Sequence, residues 1–171
     1  MTRILVAGVG NIFFGDDAFG VEVATRLLRQ RTLPASVEVK DFGIKGLDLA
    51  YALTDGYDAA IIIDAAARGQ DPGAISVVEP EALEAKNGAP HALLAAAHGL
   101  DPEKVLGLVT MLGAGCERIF FVVCEPLTLG GETGQMGLSD VVAASVEPSV
   151  HLVEKLVSSL LRTDEITLRA S

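Results

Sequence analysis

Short apolar runs alternate with stretches of helical period along most of this chain. Residues 3–7 form a brief apolar run that closes in glycine and predict a first strand. Over residues 18–31 the spacing turns helical. Val21, Ala24 and Leu28 share a face that Leu27 widens, and Arg26, Arg29 and Arg31 gather toward the end where the helix dipole favours cations. Pro34 follows the stop. Residues 37–41 alternate as a second strand, and a helix is expected from Leu47 to about Leu53. Residues 59–64 are apolar throughout until the closing Asp64, the pattern of a central strand covered on both faces. The turn Asp71-Pro72-Gly73 leads into a fourth strand over residues 74–78.

Residues 80–97 mix alanine with Asn87-Gly88 and Pro90 and define no element. Asp101-Pro102-Glu103 starts a helix with a capping carboxylate, a proline in the first turn and an acid near the positive end. That helix turns Val105, Leu106, Val109 and Leu112 inward and stops at Gly113. Residues 119–124 make a fifth apolar strand, and the glycine-rich residues 127–137 make a loop. The remainder is helical to about Arg162, with a break expected near Pro148. Alternating strands and helices predict a three-layer α/β/α fold with a mainly parallel sheet. One domain over residues 1–162 and a flexible tail over 163–171 are expected.

Composition narrows the partners. Half of the 171 residues are apolar, enough for one sizeable core, and the net charge of -10 argues against nucleic acid or an anionic membrane. Met1-Thr2-Arg3 runs directly into apolar residues too few for a signal peptide, and no run reaches membrane-spanning length, so a cytoplasmic protein is expected. Cys116 and Cys124 have neither metal-ribbon nor disulfide spacing.

The glycine-rich turn after the first strand invites a dinucleotide reading. Gly8 and Gly10 fit, but Phe13 stands where a third glycine would permit close packing, and Asp16-Asp17 would repel a pyrophosphate. No nucleotide cofactor is therefore expected. Two adjacent carboxylates suit a cation. Asp16 reads mainly as a helix cap and Asp17 as the residue facing the cleft. Asp64 ends an apolar strand near a low-dielectric core and needs a partner there: backbone N–H groups, a cation or a metal. Of three histidines, His151 lies in a helix and His91 in an irregular stretch, whereas His98 sits just before the Asp101 cap, a rigid place for an imidazole. One imidazole and two carboxylates would suit nickel, iron, manganese or zinc. A cysteine hydrolase built on Cys124 is the other possibility, although a thiol ending an apolar strand is more often inert.

Taken in order, these residues resemble the maturation endopeptidases of nickel-iron hydrogenases. Gly8-Val9-Gly10-Asn11, then Asp16-Asp17 and Gly20, is similar to that family's N-terminal signature. Asp41-Phe42-Gly43 with Gly46, the strand closing in Asp64, His98, and Gly137-Leu138-Ser139 follow in register. The resemblance runs from residue 3 to about 160. It implies a five-stranded sheet with strand four antiparallel. It also implies an endopeptidase that removes a C-terminal extension from the nickel-loaded precursor of a hydrogenase large subunit. Asp17, Asp64 and His98 would then be the metal-contacting and catalytic set, reading nickel carried by the substrate, and Asp41, Gly43 and Gly46 a substrate-binding loop. A monomer is the default, and a metal-sensing module that binds the precursor without cutting it is the alternative. Relatives often carry glutamate at the position of Asp17, and Phe42 and Lys45 depart from the usual loop, pointing to a different hydrogenase partner.

Overall fold

Three of the apolar runs become the middle of a single sheet. The computed structural model describes residues 1–79, 115–116 and 118–169, with side chains as far as Thr163. In chain order it contains β1 (Ile4–Val9), a 3-10 turn (Gly15–Ala18), α1 (Phe19–Gln30), β2 (Val37–Gly43), α2 (Gly46–Ala52), β3 (Ala59–Ala65), β4 (Ile75–Val78), β5 (Arg118–Cys124), α3 (Asp140–Ala143) and α4 (Val146–Arg169). The strand order is β2-β1-β3-β5-β4. Neighbours run parallel except β4, which pairs antiparallel with β5 at the edge. The expected five strands, and the reversed fourth, are all present.

Position in the sheet accounts for the apolar patterning. β1 and β3 are buried at every residue and β5 from Ile119 onward, because each has a strand on both sides and helices above or below. The edge strands β2 and β4 are only partly buried. One face of the sheet, with Val6, Ile61, Ile63 and Val122, packs under α1 and α4. The other, with Leu5, Ala7, Ile62 and Phe121, packs on Leu49, Ala52 and Leu53 of α2 and its end. Full burial of each such side chain stabilises the fold by about 1.5–3 kcal/mol. The layers are therefore helix, sheet, helix.

Several boundaries differ from the sequence reading. The buried stripe of α1 is centred on Phe19, Val23 and Leu27, which carries Leu28 to its margin and leaves it exposed. The C-terminal helices break at Ala144 and Ser145, ahead of Pro148. Pro148 instead sits in the first turn of α4, where a missing N–H leaves no bond unmade. That helix continues to Arg169, past the expected end near Arg162. The unassigned stretch 80–97, the helix expected over 101–113, His91 and His98 lie outside the described residues.

Two glycines bring α1 down onto the sheet. A Cβ on Gly20 would lie 2.0 Å from the Ile63 carbonyl oxygen and 2.3 Å from that of Val9. One on Gly8 would lie 2.4 Å from the Gly20 carbonyl oxygen. Only hydrogen at these positions lets the start of α1 rest across the ends of β1 and β3. From β1 the chain moves outward to β2 and then crosses to β3 on the opposite side. The carboxyl ends of β1 and β3 thus form the switch-point crevice where open α/β sheets bind ligands.

Candidate functional site: a carboxylate pair at the sheet switch point

The turn after β1 begins at Gly10, whose φ of +141° favours glycine and whose Cβ would lie 1.8 Å from the Asp17 carbonyl oxygen. The backbone then folds back on itself. Asn11 N–H donates to Asp17 Oδ2 at 2.9 Å, and Phe13 N–H donates to Asn11 Oδ1 at 3.0 Å. Asp17 is half-buried. Burial raises its pKa above the ordinary carboxylate value, with the Asn11 N–H pulling the other way.

Asp64 arrives from β3, only 6% exposed. Its Oδ1 accepts the N–H of Ala65 at 2.8 Å. Burial first, and then the negative charge of Asp17, push its carboxyl well above the usual range, opposed by that single N–H. Asp17, from the 3-10 turn after β1, and Asp64, from β3, are therefore near enough for the charge of one to bear on the other, and burial makes each reluctant to ionise. A cation between them would relieve both the desolvation and the repulsion. His98, the expected third member, lies outside the described residues. Among the described residues, no group of three or more His, Cys, Asp and Glu side chains is arranged to hold a metal ion.

Asp16 does something the sequence reading missed. Neither the 3-10 turn nor α1 receives a side-chain cap. The fully buried Asp16 carboxylate instead reaches across to the loop after β5. Oδ2 accepts the N–H groups of Leu127 at 2.9 Å and Thr128 at 3.0 Å and the Ser139 hydroxyl at 2.9 Å, while Oδ1 accepts the Ser139 N–H at 2.7 Å. Burial works to raise its pKa, but the bonds from Thr128, Ser139 and Leu127 outweigh it and hold the acid below its ordinary value. With both oxygens occupied and no exposure, Asp16 is no general base. Asp17 is the member of the pair that can reach a ligand.

A third buried acid, Glu125, fastens the chain beyond β3. Its Oε2 accepts the N–H of Arg68 at 2.7 Å, and Oε1 that of Gly69 at 3.3 Å, fixing the segment after β3. In sequence it is one polar residue past an apolar strand, with nothing to mark its partners.

The loop of Asp41, Gly43 and Gly46 lies beside the site turn. Asp41 Oδ1 accepts the Gly43 N–H at 2.8 Å, and Gly43 in turn accepts the Gly10 N–H at 2.9 Å. Gly46 opens α2. Phe42 is buried against the α2-side core. Ile44 and Lys45 are exposed at the tip. Cys124 is buried, and burial pushes its thiol up to about 11 against the opposing pull of a Ser145 hydrogen bond, with smaller upward pushes from the charges of Asp16 and Glu125. A thiol so placed makes a poor nucleophile at neutral pH.

The fold is that of a three-layer α/β protein, with a pair of acidic side chains near its switch point. Comparison with known proteins agrees. Residues 21–156 match the hydrogenase maturation protease family, and the chain belongs to it. It is 32% identical over 155 residues to the hydrogenase 2 maturation protease of Escherichia coli K12, covering 88% of each chain. It is 31% identical over 153 residues to the hydrogenase expression/formation protein HupD of Rhizobium leguminosarum bv. viciae, covering 88% of this chain and 74% of that one. Among solved structures, the hydrogenase maturating endopeptidase HybD of E. coli superposes with a TM-score of 0.69 at 27% identity, covering 92% of this chain and 93% of that chain. A hydrogenase 2 maturation peptidase from a Thaumarchaeota archaeon gives 0.68 at 29%, covering 92% and 99%.

Proposed function

We propose that this peptidase removes a C-terminal extension from the nickel-loaded precursor of a nickel-iron hydrogenase large subunit, and that it uses the nickel carried by that substrate for recognition. The observation that carries the reading is the Asp17–Asp64 pair: two acids at the carboxyl ends of β1 and β3, interacting with one another and both with raised pKa values, so that an arriving cation would favour both. His98 joins them on the strength of the family resemblance. In this reading the metal belongs to the precursor, and no nucleotide or resident cofactor takes part. Docking of nickel on the three side chains orients the scissile peptide, and orientation alone can supply several kcal/mol of a barrier. Asp17 is the residue placed to take a proton from the attacking water. Precursor without nickel would not dock, which makes cutting a checkpoint on metal insertion.

A polypeptide substrate fits the surroundings. Ile12, Phe13 and Phe14 after β1, Ile44 after β2, and Leu127, Leu129 and Met136 after β5 are exposed apolar side chains in the loops at the carboxyl edge of the sheet. Among the described residues no helix is long and apolar enough to cross a membrane. A monomer acting in the cytoplasm, where precursors are assembled, completes the proposal.

Purified protein incubated with nickel-loaded precursor tests it by the mass of the large subunit. Loss of a C-terminal peptide is the expected outcome. An unchanged mass with a stable complex would instead make the protein a binder of the precursor.

A further inference from the structure

The geometry points to Asp16 as a positioning residue that locks the loop of residues 127–139 to the turn bearing Asp17, so that the two move as one block beside the cleft. This rests on the proposed processing activity for its effect on rate, but the lock itself is a property of the chain alone. Asp16 gathers four donors from three residues of that loop, Leu127, Thr128 and Ser139. The backbone doubles the seam. Asp16 N–H donates to the Thr128 carbonyl at 3.0 Å, Gly15 N–H to that of Gln135 at 2.7 Å, and Gln135 N–H to that of Phe13 at 2.8 Å. The loop has no regular secondary structure to hold its shape, and Asp16 supplies the acceptors its N–H groups would otherwise lack.

The neighbouring residue makes the lock matter for chemistry. Asp17 is anchored on its other side by the Asn11 N–H, so the 3-10 turn is held between two fixed points. Loss of the Asp16 side-chain bonds leaves the turn to the three backbone bonds of the seam, and the looser hold lets the Asp17 carboxylate shift out of register with Asp64. Displacement of a reacting group by about 1 Å can cost on the order of a hundredfold in rate.

Asp16→Asn tests this, because it keeps the shape but places an NH2 group against donors that need an acceptor. Amide hydrogen exchange should accelerate at least about tenfold at Leu127, Thr128 and Ser139, while Ile61 and Ile62 of β3 exchange as in the wild type. Processing of nickel-loaded precursor should lose roughly ten- to a hundredfold in kcat with KM within about twofold, since the docking surface remains. Ser139→Ala removes only the hydroxyl donor and should move both readouts the same way by a smaller factor. It decides the matter if Asp16→Asn does not fold. Unchanged exchange at the three amides would overturn the lock, as would acceleration spread equally through β3. Local acceleration with wild-type kcat would overturn its link to the site. Wild-type protein that fails to cut refutes the processing activity instead, and the exchange result still decides the lock.

Discussion

The negative charge of Asp17, entering from the turn after β1, bears on Asp64 at the end of β3 and adds to the burial that raises its pKa well above the ordinary carboxylate value. Removing either charge should stop processing. Asp17→Asn and Asp64→Asn are each expected to lower kcat/KM for nickel-loaded precursor by at least about a hundredfold, because a neutral amide is a poor cation ligand and no base. Asp17→Glu should stay within about tenfold of the wild type, since it adds one methylene and keeps the charge. Processing at the wild-type rate by both Asn variants would refute the pair's role.

The same pair should set a pH dependence on the metal-free fold. A carboxyl whose folded pKa lies above its unfolded value stabilises the fold at low pH, and that contribution is lost as pH rises from the ordinary carboxylate range to the raised value. Asp64 therefore costs stability at neutral pH, and Asp64→Asn should melt higher than the wild type there, with the difference shrinking as pH falls. Asp16 has the opposite sign: its lowered pKa adds stability above the ordinary carboxylate range, which is lost as pH falls below it. Thermal melts of the metal-free proteins across pH check both. Parallel profiles for the wild type and Asp64→Asn would show that the buried acid carries no such cost.

Cys124 separates a metal-directed peptidase from a thiol hydrolase. Its buried sulfur, with a pKa near 11, donates only a long 3.8 Å contact to the Glu125 carbonyl. Cys124→Ala should keep processing within about threefold of the wild type while losing roughly 1–2 kcal/mol of stability to the cavity. Complete loss of cutting in a folded variant would reinstate the thiol.

How far the residues reveal this arrangement depends on how local each cause is. The run ending in Asp64 is legible as a central strand because burial on both faces leaves no polar position until the strand emerges at the crevice. The convergence of Asp17 with Asp64 follows from topology, since a parallel sheet brings its carboxyl ends to one edge. Asp16 is misread as a cap because its local setting suits one, whereas its true partners stand 111 to 123 positions away. Nothing in a glycine-rich loop announces that its N–H groups will be taken by a distant carboxylate. Pro148 misleads in the reverse sense: a local helix breaker is harmless at a helix start, and the start is set by packing of α4 on the sheet. His98 draws its place in the site from the family likeness alone.

The Gly8–Gly20 contact gives the sharpest mechanical prediction. Nucleotide-binding turns use glycines to admit a phosphate, but here Gly20 admits the chain's own backbone, with the Ile63 carbonyl oxygen 2.0 Å from where a Cβ would stand. No flexible side chain can yield at that point, because the neighbours at Ile63 and Val9 are main-chain atoms of central strands. Gly20→Ala must therefore lift the start of α1 off the sheet, at a cost of roughly 2–4 kcal/mol measured by denaturant unfolding. The shift also moves the turn that carries Asp17, and Ile63 directly precedes Asp64, so processing should fall by more than the folded fraction does. Gly131→Ala is the control. A Cβ there meets nothing within 4 Å, and the change should stay within about 0.5 kcal/mol. Equal stability of the two variants would mean that close approach of α1 does not hold the two acids in place.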